Sequence, residues 1–209
     1  LGFSQGFLHN LNGEVVDGDG QPILLRGFGL GGWLVPEGYM LHNQAWIQGF
    51  ESPTDIENHV LELIGPDEAN NFWELYRANY VAQADIDKIA EWGFNHIRVP
   101  FHYKQFYDST GTETPIGYAI IDELITWCQP HNIYIILDMH CAPGAQNGGP
   151  ISDSDGIARL WLEDSYKELT IQIWKEIATY YADHTLIAGY DLINEPVLPS
   201  GVSLEEFKQ

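Results

Sequence analysis

The chain contains 209 residues, and its 30 acidic and 9 basic side chains give a formal net charge of −21. An apolar fraction of 44% suffices for a sizeable core and excludes wholesale disorder. The acidic excess argues against a nucleic-acid partner, and no apolar run approaches the roughly 20 residues of a membrane span. The charge fits an ordinary solvated surface, or a protein from a salty or extracellular setting.

The two cysteines are too few for a disulfide scaffold or a four-thiolate zinc site. Cys128 and Cys141 could be paired or free, and nothing in the local sequence decides between these states. The first ten residues lack a basic segment followed by an apolar stretch, so no signal peptide is visible. A processed secreted chain would look the same.

The chain opens with a predicted hairpin. Two short apolar runs within residues 13–26 flank Asp17-Gly18-Asp19-Gly20, and Asp-Gly is a strong hairpin signal. The second run leads into the glycine-rich segment 27–32, whose Gly-x-Gly-x-x-Gly spacing matches the dinucleotide fingerprint. That motif must open a helix, whereas Pro36 and Gly38 disfavour one here. The alternatives are an NAD-dependent oxidoreductase and a loop that passes close to a ligand or another backbone, and we favour the loop.

Strands alternate with helices through the rest of the chain. Helical patterns are predicted between residues 53 and 92, with a break at Gly65-Pro66, and then along residues 115–128 and 166–181. The apolar runs between them are typical of strands, and lie at residues 94–100, 133–137 and 187–193. This alternation predicts a parallel α/β sheet.

Polar residues gather where these three strands are predicted to end. Arg98 belongs to the first, Asp138 and His140 to the second, and Asn194 and Glu195 to the third. The carboxyl ends of parallel strands meet on one side of a sheet, where active sites lie in barrels and open sheets alike. Three such positions in succession therefore predict a shared site.

Two metal patterns in the sequence are incomplete. Asp138 and His140 could supply two ligands, but no further residues complete a set at a recognised spacing. The segment Asp153-Ser154-Asp155-Gly156 resembles the start of a calcium loop without the Glu that closes an EF-hand. We expect hydrogen-bonded framework at the first position, a capped turn at the second, and no metal or cofactor.

The tripeptide Asn194-Glu195-Pro196 is the sharpest feature of the sequence. A proline favours an extended conformation in the residue before it, which would project Glu195 from the strand end. A carboxyl there suits a general acid if burial raises its pKa toward neutrality. The alternative is a Glu that caps a loop, and these three residues alone do not exclude it.

Several aromatic residues fall in or near the loops that follow the strands. Flat rings can bind the apolar faces of sugars, although most Trp and Tyr residues of any domain lie in its core or are half-buried. We retain Trp33 as a candidate sugar-binding residue. The other positions are Tyr39, Trp46, Phe101, Tyr103 and Trp161.

Four segments in order carry a family resemblance. The chain resembles glycoside hydrolase family 5, whose members are retaining (β/α)8-barrel β-glycosidases, and is nearest the branch that contains exo-β-1,3-glucanases. The resemblance covers about residues 13–196. The matching segments are LLRGFGLGGW, GFNHIRVPF, IYIILDMHCAPGAQNG and GYDLINEPV.

This resemblance implies specific roles for residues already singled out. Glu195 matches the general acid/base, and Asn194 matches the residue that binds the substrate 2-hydroxyl. Arg98 matches the arginine that supports the nucleophile carboxylate, and His140 matches a histidine lining the cleavage subsite. Glu37 resembles the acidic sugar-binding residue of the exo-acting branch. The substrate implied is a β-linked glucan or oligosaccharide, and the location is extracellular or periplasmic.

The resemblance also predicts that the chain is incomplete as a barrel. Residues 1–209 would form an N-terminal hairpin and about the first four βα units of a (β/α)8 TIM barrel, ending inside the fourth helix. A whole barrel typically needs roughly 250 residues, and the family's nucleophile belongs to its seventh strand. We therefore expect the N-terminal half of a single catalytic domain, whose nucleophile lies outside this chain. The alternative is an inert half-barrel or a carbohydrate-binding relic. Linkage and endo or exo action stay open.

Overall fold

An antiparallel hairpin opens the computed structural model. Strands β1 (His9–Leu11) and β2 (Glu14–Val16) are joined by Asn12 and Gly13, with φ of 55° and 91°. A two-residue hairpin turn of this kind needs positive φ at both positions, and Asn-Gly is well suited to it. The residues that the structure describes are 6–41, 51–108, 110–203 and 205.

The predicted hairpin at Asp17–Gly20 is only partly right. The chain does reverse there, but the return segment makes a single isolated bridge, between Val16 and Pro22, and forms no strand. The Asp17 carboxylate accepts from the backbone N–H groups of Asp19 and Gln21, at 3.0 and 2.9 Å. The Asp17 side chain closes this turn by its own hydrogen bonds. The strand pair forms one turn earlier along the chain, at Asn12-Gly13.

The second sheet is parallel and four-stranded, as the sequence predicts. Its spatial order is the order along the chain, β3-β4-β5-β6. Each strand is separated from the next by at least one helix, as parallel pairing requires. The strands are β3 (Gly27–Gly29), β4 (His96–His102), β5 (Tyr134–Cys141) and β6 (Ile187–Asp191).

Six α-helices lie within the described part of the chain. A capping box begins α2, in which Ser52 and Asp55 exchange side-chain to backbone hydrogen bonds. Gly65, with φ 81°, separates α2 from α3. The helix predicted after β6 falls in residues 204–209, which, apart from 205, lie outside the described residues. The six are α1 (Gly38–Leu41), α2 (Pro53–Ile64), α3 (Pro66–Tyr80), α4 (Gln83–Glu91), α5 (Ile116–Cys128) and α6 (Asp164–Tyr180).

The core lies between the parallel sheet and the helices that follow its strands. Ile97 of β4 and Leu137 of β5 are fully buried. They belong to one apolar cluster with Ile86 of α4, Ile121 of α5 and Ile177 of α6. Burial of these side chains fixes the register of β4 and β5, and with it the positions of their polar residues. None of the helices in the described ranges is long and apolar enough to cross a membrane.

A buried polar cluster attaches α2 to the loop that follows β5. Asp153 Oδ2 accepts from Thr54 Oγ1 at 2.6 Å, from His102 Nε2 at 2.9 Å and from Lys104 Nζ at 3.1 Å. Its Oδ1 accepts from the Thr54 backbone N–H at 2.8 Å, in the first turn of α2. Burial alone would raise the pKa of Asp153, but the hydrogen bond from His102 and the charge of Lys104 hold it well below its usual range. Protein donors thus occupy both oxygens of this carboxylate.

We expect Gly27→Ala to destabilise the fold much more than Gly29→Ala. A Cβ on Gly27 would lie 1.7 Å from the His96 carbonyl oxygen, whereas one on Gly29 would meet nothing within 4 Å. The clash is with the backbone of β4 and cannot be relieved by a rotamer change, so Gly27→Ala should cost about 3 kcal/mol. Urea unfolding of the two variants measures this, and equal stabilities would contradict the close pairing of β3 with β4.

We expect Asp153→Asn to lower the free energy of unfolding by about 3 kcal/mol at neutral pH, because it removes the anion from a buried ionic cluster. The pKa of Asp153 is lower in the folded chain than in the unfolded chain, where it is about 3.9. Its stabilisation is therefore complete above that pH and is lost progressively as the pH falls from that value through the lower pKa of the folded chain.

Urea unfolding should accordingly show a deficit for Asp153→Asn that shrinks between about pH 5 and pH 3. Asp155→Asn is the matched control, since that carboxylate is exposed and forms an ion pair with Arg159, at 2.6 Å. It should leave the free energy of unfolding nearly unchanged, because an exposed ion pair contributes little. A deficit for Asp153→Asn that does not vary with pH would refute the assignment.

Candidate active site

The candidate site lies at the carboxyl ends of β4, β5 and β6. Asp138 and His140 occupy the second half of β5, and Asn194 follows the end of β6. Arg98 is the third residue of β4 rather than its last, and its long side chain reaches the other strands. The structure therefore brings these predicted residues together, as parallel strands require.

Arg98 joins three segments of the chain through its guanidinium. Its Nη2 lies 2.9 Å from Asp138 Oδ2, 2.8 Å from Asp191 Oδ2 and 2.9 Å from Asn194 Oδ1. Its Nε also donates to Asp191 Oδ2, at 3.1 Å. A guanidinium has only donors, so each of its partners must present an oxygen to it. One cation thus fixes two carboxylates and one amide.

The orientation of Asn194 fixes the hydrogen bonds of His140. Because Asn194 Oδ1 faces Arg98, its Nδ2 faces His140 Nε2, at 3.3 Å. The other ring nitrogen, Nδ1, lies 2.7 Å from Asp138 Oδ2. The hydrogen bonds therefore put a proton on Nδ1 and leave Nε2 to accept from Asn194.

Asp138 is fully buried beneath this network. Its Oδ2 lies within hydrogen-bond distance of both Arg98 and His140, while its Oδ1 is buried without a hydrogen-bond partner in the described part of the chain. Burial raises the pKa of Asp138, and the neighbouring His140 and Arg98 offset this in part. Asp138 therefore acts as framework that orients the imidazole, as the sequence argument expected.

Glu37 lies between β3 and α1 and is 4% exposed. Its Oε1 is 3.9 Å from His140 Nε2, and the Tyr39 hydroxyl donates to its Oε2 at 3.4 Å. Burial raises the pKa of Glu37, against a lowering by His140 and by the Tyr39 hydrogen bond. A buried carboxyl thus lies beside His140, and its role in sugar binding stays a prediction.

Glu195 differs from its prediction in two respects. Its backbone has φ 44°, a left-handed conformation, so the expectation of an extended residue before Pro196 is wrong. Its side chain is exposed, so the described residues do not provide the burial that is expected of a general acid. The Glu195 carbonyl accepts from Asn147 Nδ2 at 3.0 Å, and this tertiary contact outweighs the local preference.

Trp33 is a core residue rather than part of the site surface. It is 3% exposed, and its Nε1 donates to the Arg77 carbonyl of α3 at 2.8 Å. Phe101 is fully buried in the same apolar cluster. The interpretation of Trp33 as a sugar-binding ring is therefore corrected, because its indole packs against α3 and has its only polar atom satisfied there.

The other aromatic candidates occupy varied environments. Tyr39 is 48% exposed beside Glu37, while Tyr103 and Trp161 are half-buried. Trp161 Nε1 donates to the backbone carbonyl of the loop after β5, at 2.8 Å. Trp46 lies outside the described residues. The Tyr39 hydroxyl contacts a predicted site residue, Glu37.

Three residues of this region were missed by the sequence argument. Asp191 ends β6, and a charged residue inside the apolar run 187–193 was an available signal. Gln146 and Asn147 bind the backbone of Asn194 and Glu195. Their partners are 48 residues away along the chain, so no local pattern could have indicated them.

The glycine-rich segment lacks the structure of a dinucleotide-binding motif. The glycine-rich segment forms strand β3 and a loop, and the next helix begins only at Gly38 and has four residues. It therefore does not open a helix of the kind that holds a pyrophosphate. Within the described ranges, no group of three or more His, Cys, Asp or Glu side chains could hold a metal ion.

Comparison with solved structures defines the fold. The crystal structure of rutinosidase from Aspergillus niger matches with a TM-score of 0.69 and 22% identity, over 84% of this chain and 50% of that chain. An endogalactoceramidase structure matches with a TM-score of 0.61 and 19% identity, over 91% and 44%. Together with the parallel sheet, these matches confirm the predicted fold class, part of a (β/α)8 barrel.

Comparison with curated sequences defines the family. A β-xylosidase of Phanerodontia chrysosporium is 34% identical over 89% of this chain and 38% of its own length. A probable glucan 1,3-β-glucosidase A of Aspergillus niger is 28% identical over 88% and 44%. The chain thus spans less than half the length of these two relatives. The cellulase model of glycosyl hydrolase family 5 matches residues 54–206. The chain belongs to glycosyl hydrolase family 5.

Proposed function

We propose that this chain is part of a retaining glycosidase, in which Glu195 is the general acid/base. The observation that carries the proposal is the position of Glu195 immediately after Asn194, whose amide is fixed by Arg98 and His140 at the ends of three parallel strands. Membership of the family supports the assignment. The exposed Glu195 carboxyl is available to an incoming glycosidic oxygen.

A retaining mechanism needs two carboxyl groups about 5–5.5 Å apart. In the first step Glu195 gives its proton to the glycosidic oxygen as the bond to the anomeric carbon breaks, and the second carboxylate bonds to that carbon. In the second step Glu195 takes a proton from water, which displaces the second carboxylate and restores both groups.

We propose that the second carboxylate lies outside this chain. Asp138 and Asp191 are both engaged by Arg98, and the buried Asp138 also binds His140. Glu37 is buried, and its Oε2 accepts from the Tyr39 hydroxyl at 3.4 Å, so protein contacts hold this carboxyl as well. The described carboxyls near Glu195 are thus better suited to support than to attack.

Three neighbours of Glu195 are proposed to bind the sugar at the cleavage point. Asn194 presents its amide nitrogen on the side away from Arg98, where it can donate to the 2-hydroxyl. His140 and Glu37 lie 3.9 Å apart and offer a pair of polar groups to further hydroxyls. Arg98 contributes indirectly, since it holds Asn194 and the two aspartates in place.

We propose that residues 1–209 are the N-terminal half of a single barrel domain, which further strands complete. Support comes from the match to half of the rutinosidase chain and from the sheet order β3-β4-β5-β6. The contrasting proposal, an inert half-barrel or a carbohydrate-binding relic, would leave Glu195 without a function. We propose an extracellular or periplasmic location, with no nucleic-acid or membrane partner, which the acidic charge supports.

The proposed substrate class is a β-linked glucan or a related oligosaccharide. The curated relatives include several glucan 1,3-β-glucosidases besides the β-xylosidase. A site that hydrogen-bonds the hydroxymethyl arm of glucose is left with an unpaired polar group when xylose, which lacks this arm, binds. This difference makes the two activities separable by experiment.

We expect Glu195→Gln, in the complete barrel protein, to lower kcat/KM for an aryl β-glucoside with a poor leaving group by about 1,000-fold, because a positioned general acid contributes on that order. Glu168→Gln is the matched control, since that carboxyl is exposed on α6. Steady-state hydrolysis measures both. Unchanged activity in Glu195→Gln would refute the assignment of Glu195.

We also expect the same protein to hydrolyse an aryl β-glucoside with a kcat/KM at least about 10-fold above that for the matching aryl β-xyloside. The leaving group is identical in the two substrates, so the ratio reports recognition of the sugar alone. A ratio below one would assign the chain to a β-xylosidase and leave the role of Glu195 intact.

A further inference from the structure

The backbone that carries Glu195 is held in an unfavourable conformation. Glu195 has φ 44°, in the left-handed region that residues other than glycine rarely adopt. The following residue is Pro196, which further restricts the residue before it. Such a conformation persists only where surrounding contacts determine it, and residues in such conformations are often found at functional sites.

Gln146 supplies the first of these contacts. Its side chain is fully buried, and its Nε2 donates to the carbonyls of Asn194 and His140, at 2.9 and 2.6 Å. Its Oε1 accepts from the Ala142 backbone N–H at 3.1 Å. The two carbonyls require the amide nitrogen and the N–H requires the amide oxygen, so only one orientation of this side chain satisfies all three.

Asn147 supplies the second contact. Its Nδ2 donates to the Glu195 carbonyl at 3.0 Å. Its Oδ1 accepts from the backbone N–H of Gly149 at 2.8 Å and from Ser152 Oγ at 3.0 Å, which closes its own loop. The Val197 N–H donates to the backbone carbonyl of Gln146, at 3.1 Å. The loop after β5 therefore grips the backbone on both sides of Pro196.

We propose that Gln146 and Asn147 are positioning residues, which aim the Glu195 carboxyl by fixing the two carbonyls on either side of its Cα. This inference rests on the proposed role of Glu195 as general acid/base. The hydrogen bonds from these two amides to the Asn194–Pro196 segment go to its backbone carbonyls, those of Asn194 and Glu195. They act through Glu195, and their loss weakens proton delivery rather than sugar binding.

Asn147→Asp isolates the link to Glu195. The aspartate keeps an oxygen for Gly149 and Ser152 but replaces the donor that faces the Glu195 carbonyl with an acceptor. Ser152→Ala is the matched control. It removes the hydroxyl that bonds to Asn147 and weakens the same loop, yet it leaves the bond from Asn147 to Glu195 in place.

The test measures kcat/KM, in the complete barrel protein, on two aryl β-glucosides whose leaving phenols differ widely in acidity. An acidic phenol departs without a proton, whereas a weakly acidic one needs the general acid. For Asn147→Asp we expect a loss of about 100-fold on the poor leaving group, the order that a misplaced catalytic group costs, and little loss on the good one. Ser152→Ala should lower both by the same small factor.

The possible outcomes separate the two proposals. Equal losses on both substrates in Asn147→Asp, or no loss, would overturn the positioning role. If Glu195→Gln itself shows no dependence on the leaving group, the proposed function fails and the positioning role fails with it. Thermal unfolding identifies a variant that does not fold. In that case Asn147→Ala, which introduces no charge, is measured in its place and is judged by the same criterion.

Discussion

The arrangement of the site depends on the guanidinium of Arg98. One nitrogen of this side chain reaches an oxygen on β5, an oxygen at the end of β6 and an oxygen on the segment beyond β6. Burying the Asp138 carboxylate would be costly without such a partner. Because arginine offers donors only, it also decides which way the Asn194 amide faces, and through Asn194 which nitrogen of His140 accepts. The directions of the hydrogen bonds made by Asn194 and His140 thus follow from Arg98.

The carboxyl groups around Arg98 are made chemically different by their surroundings. Glu37 and Asp138 are buried, and burial raises the pKa of each. Asp191 is half-exposed and paired with Arg98, whereas Glu195 is exposed on a segment of its own. Similar groups in dissimilar environments take different chemical roles in acid–base sites. Of the four carboxyls named here, Glu195 is the one that is exposed and has no recorded contact with Arg98.

The loop after β5 connects the segment that carries Glu195 with the polar cluster around Asp153. Gln146 and Asn147 satisfy the carbonyls of Asn194 and Glu195 and keep Glu195 in a conformation that its own sequence disfavours. The polar cluster around Asp153 holds the same loop against the first turn of α2. The position of Glu195 is therefore determined by a scaffold of buried hydrogen bonds, in which each amide has a single workable orientation.

The sequence by itself determined the parallel α/β sheet, the meeting of Arg98, Asp138, His140 and Asn194, and the family. The sheet and the meeting of these residues follow from apolar periodicity and strand direction. The family follows from the resemblance of four segments to its members. Only the tertiary structure decided that Trp33 packs in the core, that Asp191 joins the site and that Glu195 is left-handed. Each of these depends on contacts between residues more than 40 positions apart. Such contacts are created by strand register and loop packing, so a local pattern can mark a position such as Asp191 but does not encode its partners.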